Sequence, residues 1–502
     1  MLVTCRQMQE IEQRAFDLGA SAGDLMEKAG FGIAAEVRRF FPVPGTLVIY
    51  LGSGNNAGDA LVAARELRRL GWRVLARLSG PVDKLKPLPR AHLDAFTDLH
   101  LLKSPVNVAE LPRPIVQLDG LLGIGAAGAM REELRSLAAE MNALRREQHA
   151  FTVAMDIPSG LNGDTGEASP DCVEADVTAT VACVKAGLVA DAATSRVGRI
   201  ALVPVAGLGA GEDDGPMLLT PELLRSWLPR RSFEFHKGQA GRVGILAGSR
   251  GFLGAAVLAC SGALRAGAGL VTLLVKEGVY PLMAARLPPE VMVKPVKDYR
   301  EALEMNWDAL GIGPGLGFEA ADEVLNVIQY AAVPAVVDAD AITMIARTEV
   351  PVFLTSTPPR LLTPHPGEMA RLVGDGECHP RITQAEMWAM AHPGNVLLLK
   401  GARTVIATEG PPTLINSTGH PGMATGGMGD VLTGVCAAFA GQGLDLYRSA
   451  GLGAWSCGRA AEIAALAQSQ LSVLPTDVVN HLGAALKELE QAPVPNPPCR
   501  CG

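Results

Sequence analysis

The sequence predicts the α/β class, with two three-layer αβα domains in tandem along the chain. The chain has 502 residues, which is more than one ordinary hydrophobic core holds. Aromatic residues make up only 4% of it while 48% is hydrophobic, so aliphatic side chains must fill the core, as they do around buried parallel strands. Apolar strand-like runs also alternate with helix-like periodicity, which favours parallel sheets with right-handed crossovers.

The first half begins with an amphipathic helical segment and continues with alternating strands and helices. TLVIYLG (46–52) predicts a strand, and DALVAARELRRLG (59–71) predicts a helix by its i, i+3, i+4 apolar spacing. Further strands are predicted at RVLARL, PIVQLDG, TVAMDIPSG, VTATVACV and RIALVPV. We therefore expect a first domain over residues 1–210.

A second α/β pattern follows a small, acidic segment with Pro and Gly, which predicts a linker over 211–218. RVGILAG predicts the first strand of this half, and GAAVLACSGALRAGAG predicts the helix after it. Later strands are predicted at LVTLLV, DALGIG, AVVDADA, RLLTP and NVLLLKG. The second domain is expected over 219–490, and the proline-rich residues 491–502 are expected to form a disordered tail.

Composition disfavours several classes of partner. The net charge is −8, and no run of Lys and Arg suggests nucleic-acid binding. The first residues lack the apolar stretch of a signal peptide, and no apolar run is long enough for a membrane helix. We expect a cytoplasmic protein without nucleic-acid or membrane partners. Its nine cysteines form no CxxC pair, and most are expected to be reduced, buried thiols, while Cys499 and Cys501 lie in the proline-rich tail and are assigned no role.

Polar residues follow three predicted strands of the first half. GSGNNAGD (52–59) joins a strand to a helix that is expected to begin at or just before Asp59, with Asp59 as a plain N-cap as the alternative. Asp119, Asp156 and Ser159 also follow strands. Because the carboxyl ends of parallel strands meet in one crevice, these groups are expected to converge. Asp119, Ser159 and an Asn carbonyl offer hard oxygen ligands for a monovalent cation, and Asp156 could act as a general base.

The second half has three candidate chemical groups. TPHPGE places His365 between two prolines ahead of a helix, and NVLLLKG ends a strand at Lys400, a cation suited to a nucleotide. In MATGGMGDVLTG (423–434), consecutive backbone N–H groups can form an anion nest at a helix start, with Asp430 at its positive end. Asp430 could accept a hydroxyl proton during phosphoryl transfer. The alternative, Asp430 as a helix cap, does not explain the glycines.

The motifs LMEKAG, GSGNNAGD, LDGLLGIGAAG and DIPSGLNGDTG resemble the NAD(P)H-hydrate epimerase domain over roughly residues 1–205. The resemblance implies a Rossmann-like αβα fold, K⁺ bound by Asn56, Asp119 and Ser159, and Asp156 as acid/base. It implies contacts with the hydrated cofactor from Asn55, Asn56, Ala57, Gly58, Asp59, Gly123, Ile124, Gly125, Ala126, Ala127, Gly128, Ala129 and Asp156. The family usually has Gly where Ala57 stands, and the loop 123–129 lacks the Arg or Pro often found there.

The motifs HKGQAGRV, LRAGAGLVT, PPEVMV, GIGPGLG, DADAI, TPHPGE, LLLKGARTVIA and GHPGMATGGMGDVLTG resemble the ADP-dependent NAD(P)H-hydrate dehydratase over about 215–490. This resemblance implies a ribokinase-like αβα fold, ADP or ATP as co-substrate, and Mg²⁺. It implies that Ala256, Gly315, His365 and Asp430 contact the hydrate, with Asp430 as the catalytic base. It implies nucleotide binding by Lys400, Gly401, Ala402, Arg403, Thr404 and Gly429.

Kinase-like residues suit a dehydration. The hydrates NADHX and NADPHX carry a hydroxyl beside the ring nitrogen, and phosphorylation would turn this poor leaving group into a good one. An epimerase would supply the S form that the second domain consumes. A homo-oligomer is expected. The alternative is a kinase for a vitamin precursor or sugar, with a non-catalytic first domain that dimerises or binds RNA.

Overall fold

The computed structural model describes residues 2–126, 128–209, 215–348, 358–374 and 379–493. The chain divides after Gly215 into two compact units, called unit 1 and unit 2 here. Each unit is a layered α/β domain, as the sequence predicts. Among the described helices, none is both long and apolar enough to cross a membrane.

Unit 1 alternates strands and helices. Its strands are β1 (Leu2–Val3), β2 (Thr46–Leu51), β3 (Arg73–Leu78), β4 (His100–Leu102), β5 (Ile115–Gly120), β6 (Phe151–Met155), β7 (Val177–Val181), β8 (Val184–Lys185) and β9 (Arg199–Val203). Its helices are α1 (Cys5–Asp17), α2 (Ala22–Phe40), α3 (Asn55–Arg69), α4 (Pro87–Ala95), α5 (Glu132–Gln148) and α6 (Thr194–Val197).

A parallel sheet in the order β4-β3-β2-β5-β6-β7-β9 forms the middle layer of unit 1. Alternate residues of a strand face opposite sides, so Ile49 packs toward α2 and α3 while Tyr50 packs toward α5. The strand order reverses between β2 and β5. Open α/β sheets bind ligands at such a reversal, outside the carboxyl ends of the strands.

Unit 2 is built in the same way. Its strands are β10 (Met217–Leu218), β11 (Arg242–Leu246), β12 (Leu270–Lys276), β13 (Val291–Val296), β14 (Ala309–Ile312), β15 (Ala335–Val337), β16 (Arg360–Leu362), β17 (Val396–Leu399), β18 (Thr404–Ala407) and β19 (Leu414–Asn416). Its helices are α7 (Pro221–Arg225), α8 (Leu253–Arg265), α9 (Tyr280–Ala284), α10 (Ala321–Tyr330), α11 (Ala339–Arg347), α12 (Pro366–Val373), α13 (Arg381–Ala391), α14 (Met428–Gly441), α15 (Leu446–Ala465) and α16 (Pro475–Gln491).

The sheet of unit 2 runs β10-β19-β18-β17-β16-β15-β14-β11-β12-β13, with its reversal between β14 and β11. The sheet is mostly parallel, but β18 pairs antiparallel with both β17 and β19. Residues 400–403 alone connect β17 to β18, and so short a connection can form a hairpin but not a parallel crossover.

Helix α14 crosses α8 at close range. A Cβ at Gly434 would lie 1.9 Å from the carbonyl oxygen of Ala259, and one at Gly262 would lie 2.5 Å from that of Val431. Only glycine allows the two backbones to approach so closely. This packing buries α14 from Val431 onward and fixes its N-terminus at the carboxyl end of the sheet.

Several predicted boundaries differ from the structure. Helix α3 begins at Asn55, not near Asp59, and Gly54 is its N-cap, so Asp59 is not the cap. Part of the expected linker is a strand of unit 2, because Met217–Leu218 pairs with β19. Residues 211–214 of that linker and 494–502 of the expected tail lie outside the described residues.

Candidate active sites

The carboxyl ends of β2, β5 and β6 meet at the reversal in unit 1. The side-chain amide nitrogen of Asn56, in the first turn of α3, donates to the carbonyl oxygens of Leu122 (2.7 Å) and Met155 (3.1 Å). One side chain thus ties together the segments that follow all three strands. The convergence expected from the strand ends is present.

Asp119, Ser159 and Asn56 form a connected oxygen-rich group. The Ser159 hydroxyl donates to Asp119 Oδ1 (2.6 Å), the Ser159 backbone N–H donates to Asp119 Oδ2 (2.7 Å), and the Leu122 N–H donates to the Ser159 hydroxyl (2.9 Å). Asp119 is fully buried. Burial raises the pKa of its carboxyl to about 6, although the hydrogen bonds from Ser159 and Leu121 oppose the rise. A carboxylate buried in this way suits a nearby cation.

Asp156 follows β6 with a backbone φ of 65°, a left-handed conformation that is uncommon for any residue except glycine. Its Oδ1 accepts hydrogen bonds from the Val181 N–H (3.1 Å) and the Thr180 hydroxyl (3.4 Å), and it forms an ion pair with Lys185. Strained backbone of this kind concentrates at functional sites. Sequence reasoning did not identify Lys185 as a site residue.

Two further carboxyl groups lie within electrostatic range of Asp156. Burial, followed by the negative charges of Asp156 and Glu12, raises the pKa of Asp59 well above its ordinary value. Burial and Asp156 also raise the pKa of Glu12, on α1, while Lys185 lowers it. Acidic groups from α1, α3 and the end of β6 therefore share one crevice, in which protonated and ionised carboxyl groups can coexist.

The remaining predicted epimerase residues occupy two segments. In α3, Ala57 packs in the apolar core and Gly58 lies against Met26, so these two could meet a ligand only through their backbone. The loop after β5 carries Gly123, Ile124, Gly125, Ala126, Gly128 and Ala129, while Ala127 lies outside the described residues. Ile124 packs against the apolar cluster beneath α1, which brings this loop next to the N-terminal helix.

At the reversal in unit 2, the loops after β11 and β14 pack on each other. The Ser249 hydroxyl donates to the Gly315 carbonyl (2.8 Å), and a Cβ at Gly315 (φ 61°) would lie 2.8 Å from the Cβ of Phe252. Ala256 is fully buried in the core beneath the first loop. Gly315 therefore borders the crevice, while the Ala256 side chain packs in the core.

Lys400 and Asp338 form the centre of the second crevice. The Lys400 ammonium lies 2.7 Å from Asp338 Oδ1 and 3.9 Å from Glu368 Oε2, and the Thr433 hydroxyl donates to Asp338 Oδ2 (2.8 Å). Burial alone would lower the pKa of Lys400, but Asp338 and Glu368 outweigh it and raise the pKa. Lys400, which the sequence predicts as a cation that suits a nucleotide, is thus paired with two carboxylates.

Asp430 lies in the first turn of α14, beside this pair. Burial, followed by the charge of Asp338, raises its pKa to about 7, while Lys400 opposes the rise. Gly427 is the N-cap with a φ of 100° and supplies no capping side chain. The N–H groups of the first turn thus lack a side-chain acceptor at the positive end of the helix dipole, where an anion is favoured.

Gly429 fits closely against the ion pair. A Cβ there would lie 3.2 Å from the Lys400 ammonium and 3.3 Å from Asp338 Oδ2. Side-chain packing therefore favours glycine at position 429, in addition to the backbone conformation of the GGMGD loop. Any side chain would press on the pair next to Asp430.

His365 is the N-cap of α12. Its Nδ1 accepts hydrogen bonds from the N–H groups of Gly367 (3.0 Å) and Glu368 (3.3 Å), while Glu368 Oε2 accepts from the His365 N–H (2.8 Å). The histidine side chain is about half exposed, with a side-chain exposure of 52%. The cap fixes the ring, and Nε2 lies 3.4 Å from Glu368 Oε1, while half of the side chain stays exposed to a ligand. Structural and binding roles are therefore compatible.

The segment 400–404 forms the turn between β17 and β18. One guanidinium nitrogen of Arg381 donates to the carbonyl oxygens of Leu399 (3.0 Å), Lys400 (2.8 Å) and Arg403 (3.3 Å). The Thr404 hydroxyl donates to the Gly401 carbonyl (3.2 Å). These bonds satisfy carbonyl groups of the turn and fix its backbone.

Sequence signals existed for the residues that were missed. Lys185 is the single charge in the apolar run VACVKAGLVA, and a lone charge there suggests a buried pair. Asp338 belongs to DADAI, a motif that the sequence indicates only as one part of the dehydratase resemblance. A cavity of about 650 Å³ beside Arg77, Val106 and Glu140 contains none of the predicted site residues.

Both units are doubly wound α/β domains with an acidic crevice at the reversal of strand order, which is the class of enzyme that binds nucleotides or dinucleotides there. A family model described as NAD(P)H-hydrate dehydratase matches residues 243–483, and one described as YjeF-related protein N-terminus matches residues 22–187. The chain belongs to the family of bifunctional NAD(P)H-hydrate repair enzymes, and the family predicted from its motifs is confirmed.

Relatives align over nearly the whole chain. A bifunctional NAD(P)H-hydrate repair enzyme of Moorella thermoacetica is 37% identical, covering 98% of this chain and 97% of that protein. One of Escherichia coli is 34% identical, with 94% and 91% covered. A solved ADP/ATP-dependent NAD(P)H-hydrate dehydratase of Bacillus subtilis, co-crystallised with ATP and Mg²⁺, is 32% identical and covers 56% of this chain and 100% of its own, with a TM-score of 0.49.

Proposed function

We propose that this protein repairs hydrated nicotinamide cofactors, with unit 1 interconverting the R and S forms of NADHX and NADPHX and unit 2 dehydrating the S form. The observation that carries the proposal is the pairing of two acidic crevices, one around Asp156 and one around Asp430, in a chain whose relatives are named as bifunctional repair enzymes. A single kinase domain would have no use for the first crevice.

In unit 1, Asp156 is the group that exchanges protons with the hydrate, bordered by the first turn of α3 and the loop 123–129. K⁺ would be held by Asn56, Asp119 and Ser159. The buried Asp119 carboxylate and the neutral oxygen donors beside it support this choice, because hard oxygen ligands suit such a cation. The ion would neutralise Asp119 and fix the loop after β5.

In unit 2, ionised Asp430 takes the proton of the substrate hydroxyl as that oxygen attacks the terminal phosphoryl group of the nucleotide. The oxygen–phosphorus bond forms while the bond to the departing nucleotide breaks. The ring nitrogen lone pair then expels phosphate and leaves an iminium ion. Loss of a proton from the adjacent ring carbon to the released phosphate or to water restores the reduced nicotinamide. With ADP, the products are AMP and phosphate. The N–H groups at the start of α14, which have no side-chain cap, support the developing phosphoryl charge.

The nucleotide would lie along 400–404 and Gly429, while Gly315 and His365 border the hydrate and Ala256 supports the loop after β11. Mg²⁺ would be held chiefly by the nucleotide's phosphates. No cluster of three His, Cys, Asp or Glu suitable for a metal occurs in the described residues, and magnesium often binds through substrate phosphates with one or two carboxylates. ADP is the co-substrate that we propose, with ATP as its competitor.

The test uses the full chain, purified NADHX of each configuration and ADP with Mg²⁺. Recovery of the near-ultraviolet absorbance of NADH from the S form tests dehydration, and recovery from the R form tests both units together. Asp430→Asn should abolish both recoveries, while Asp156→Ala should abolish only recovery from the R form beyond its spontaneous rate. A stable phosphorylated alcohol with no recovered NADH would instead indicate the kinase alternative.

Two expectations accompany this function. We propose that the protein acts in the cytoplasm, where its substrates would form, and that it assembles as a homo-oligomer. Cell fractionation and light scattering of the purified chain test them. Membrane-bound material or a monomer over the whole accessible concentration range would contradict them.

A further inference from the structure

Lys185 is a fully buried lysine at the edge of the first crevice. Its ammonium forms an ion pair with Asp156 and donates to the Val181 carbonyl (2.9 Å) and the Thr180 hydroxyl (3.3 Å). These three acceptors match the three protons of an ammonium group. The lysine is therefore fixed in one orientation, with its charge directed at the carboxylate that the proposed epimerase reaction uses.

The position of Lys185 depends on the N-terminal segment. Lys185 lies on β8, which pairs in parallel with β1 and aligns Val3 with Lys185. Immediately after β1, the Cys5 N–H donates to Asp164 Oδ1 (2.6 Å), so this segment is held at both strand and helix. The N-terminal residues thus contribute to the site by holding the strand that carries the lysine.

Lys185 is also the cation among several acidic groups. The groups that face Asp156 are Glu12 and the Cys5 thiol from the N-terminal helix, Asp59 from α3 and Lys185 itself. Without the lysine, the negative charge of Asp156 would lie near two carboxyl groups, with no positive charge to compensate it. Removing one partner of a buried pair leaves such a charge strongly disfavoured, so the carboxyl group would take up a proton.

We propose that Lys185 is the positioning residue of the epimerase site, and that it keeps Asp156 ionised and aimed into the crevice. The proposal rests on the epimerase function proposed for unit 1. Asp156 exchanges the proton, while Lys185 sets the charge and the direction of the Asp156 carboxylate.

The test is the pH profile of R-to-S conversion by the full-length protein, measured for wild type, Lys185→Met, Lys185→Arg and Lys103→Met. Lys103 is an exposed lysine of the same unit and serves as the matched control. Lys185→Met should move the acidic limb of kcat/KM to higher pH by about one unit or more, since a unit corresponds to roughly 1.4 kcal/mol of differential interaction. Lys185→Arg should recover part of this shift, and Lys103→Met should match wild type.

The outcomes distinguish the two proposals. An inactive wild type would overturn the epimerase function. An active wild type with an unshifted Lys185→Met profile, whether or not the rate falls, would overturn the role of Lys185. Thermal unfolding of Lys185→Met and Lys185→Met/Asp156→Asn provides the second measurement. The double variant should be more stable than the single one, because it no longer buries an uncompensated carboxylate.

Discussion

The Lys400 ammonium lies 2.7 Å from Asp338 Oδ1, although the two residues follow different strands and stand 62 positions apart. Asp338 is fully buried and accepts a second bond, from the Thr433 hydroxyl of α14. One carboxylate therefore joins the end of β15, the end of β17 and the helix that carries Asp430. The first turns of α14 are positioned by this contact.

Asp338→Asn should destabilise unit 2 by about 3–5 kcal/mol, because it leaves the buried Lys400 charge with only the more distant Glu368. Dehydratase activity should fall even where the variant is folded. Urea unfolding followed by the tryptophan fluorescence of unit 2 measures the first effect. Asp322→Asn, at an exposed position in the same unit, should change stability little. Equal effects of the two substitutions would contradict the role of Asp338.

Dehydratase activity should rise as pH increases through about 7, because Asp430 must be ionised to accept the hydroxyl proton and its pKa is raised to about 7. Asp430→Asn should lower kcat by roughly 10² to 10⁴-fold. The pH profile of kcat/KM shows the pH at which dehydratase activity rises. A profile that is flat from pH 6 to 8 would argue against Asp430 as the base.

The Asp430 carboxyl should also affect folding stability, which should fall as the pH rises although dehydratase activity increases. A carboxyl whose pKa is raised on folding binds its proton more tightly in the folded state, so folding stability falls as pH rises between the unfolded value near 3.8 and the folded value of about 7. Asp430→Asn should therefore be at least as stable as wild type at pH 8, although its kcat is much lower. Thermal unfolding of both proteins at two pH values checks this. A large loss of stability at pH 8 would show that the ionised carboxylate is held favourably.

Gly429→Ala should impair dehydration while leaving epimerisation unchanged. The added methyl would stand 3.2 Å from the Lys400 ammonium and 3.3 Å from Asp338 Oδ2, so one of them must move. We expect about a tenfold or greater loss of kcat/KM, since small displacements of catalytic groups have effects of this size. Gly483→Ala in α16, where a Cβ meets no atom within 4 Å, is the control and should stabilise the helix by roughly 0.5–1 kcal/mol. Similar losses of kcat/KM in Gly429→Ala and Gly483→Ala would contradict this explanation.

K⁺ should stabilise unit 1 only where Asp119 is ionised. Burial raises the pKa of this carboxyl to about 6, so above that pH the folded state holds a disfavoured charge that a bound cation would compensate. The thermal midpoint in potassium chloride should exceed that in tetramethylammonium chloride of equal ionic strength at pH 8, and the difference should fade at pH 5. Asp119→Asn should remove the difference. A potassium effect that persists in this variant would place the ion elsewhere.

The sequence alone determined the α/β class, the order of most strands along the chain and the convergence of the strand ends next to Asn56, Asp119, Asp156 and Ser159. It could do so because apolar periodicity reports which elements are buried, and because parallel strands bring their carboxyl ends together. Its motifs also identified the family. The sequence did not predict the antiparallel hairpin between β17 and β18, since a turn of four residues decides the direction of β18 there.

Only the tertiary structure decided which charges meet. Lys185 reaches Asp156 because β8 pairs with β1, and Lys400 reaches Asp338 because two strand ends adjoin, while no spacing along the chain encodes either contact. The raised pKa of Asp430 has the same origin, since burial and the charge of Asp338 act through space. Sequence periodicity specifies which faces are buried, but the electrostatics of a crevice depends on distances that appear only when the strands are assembled.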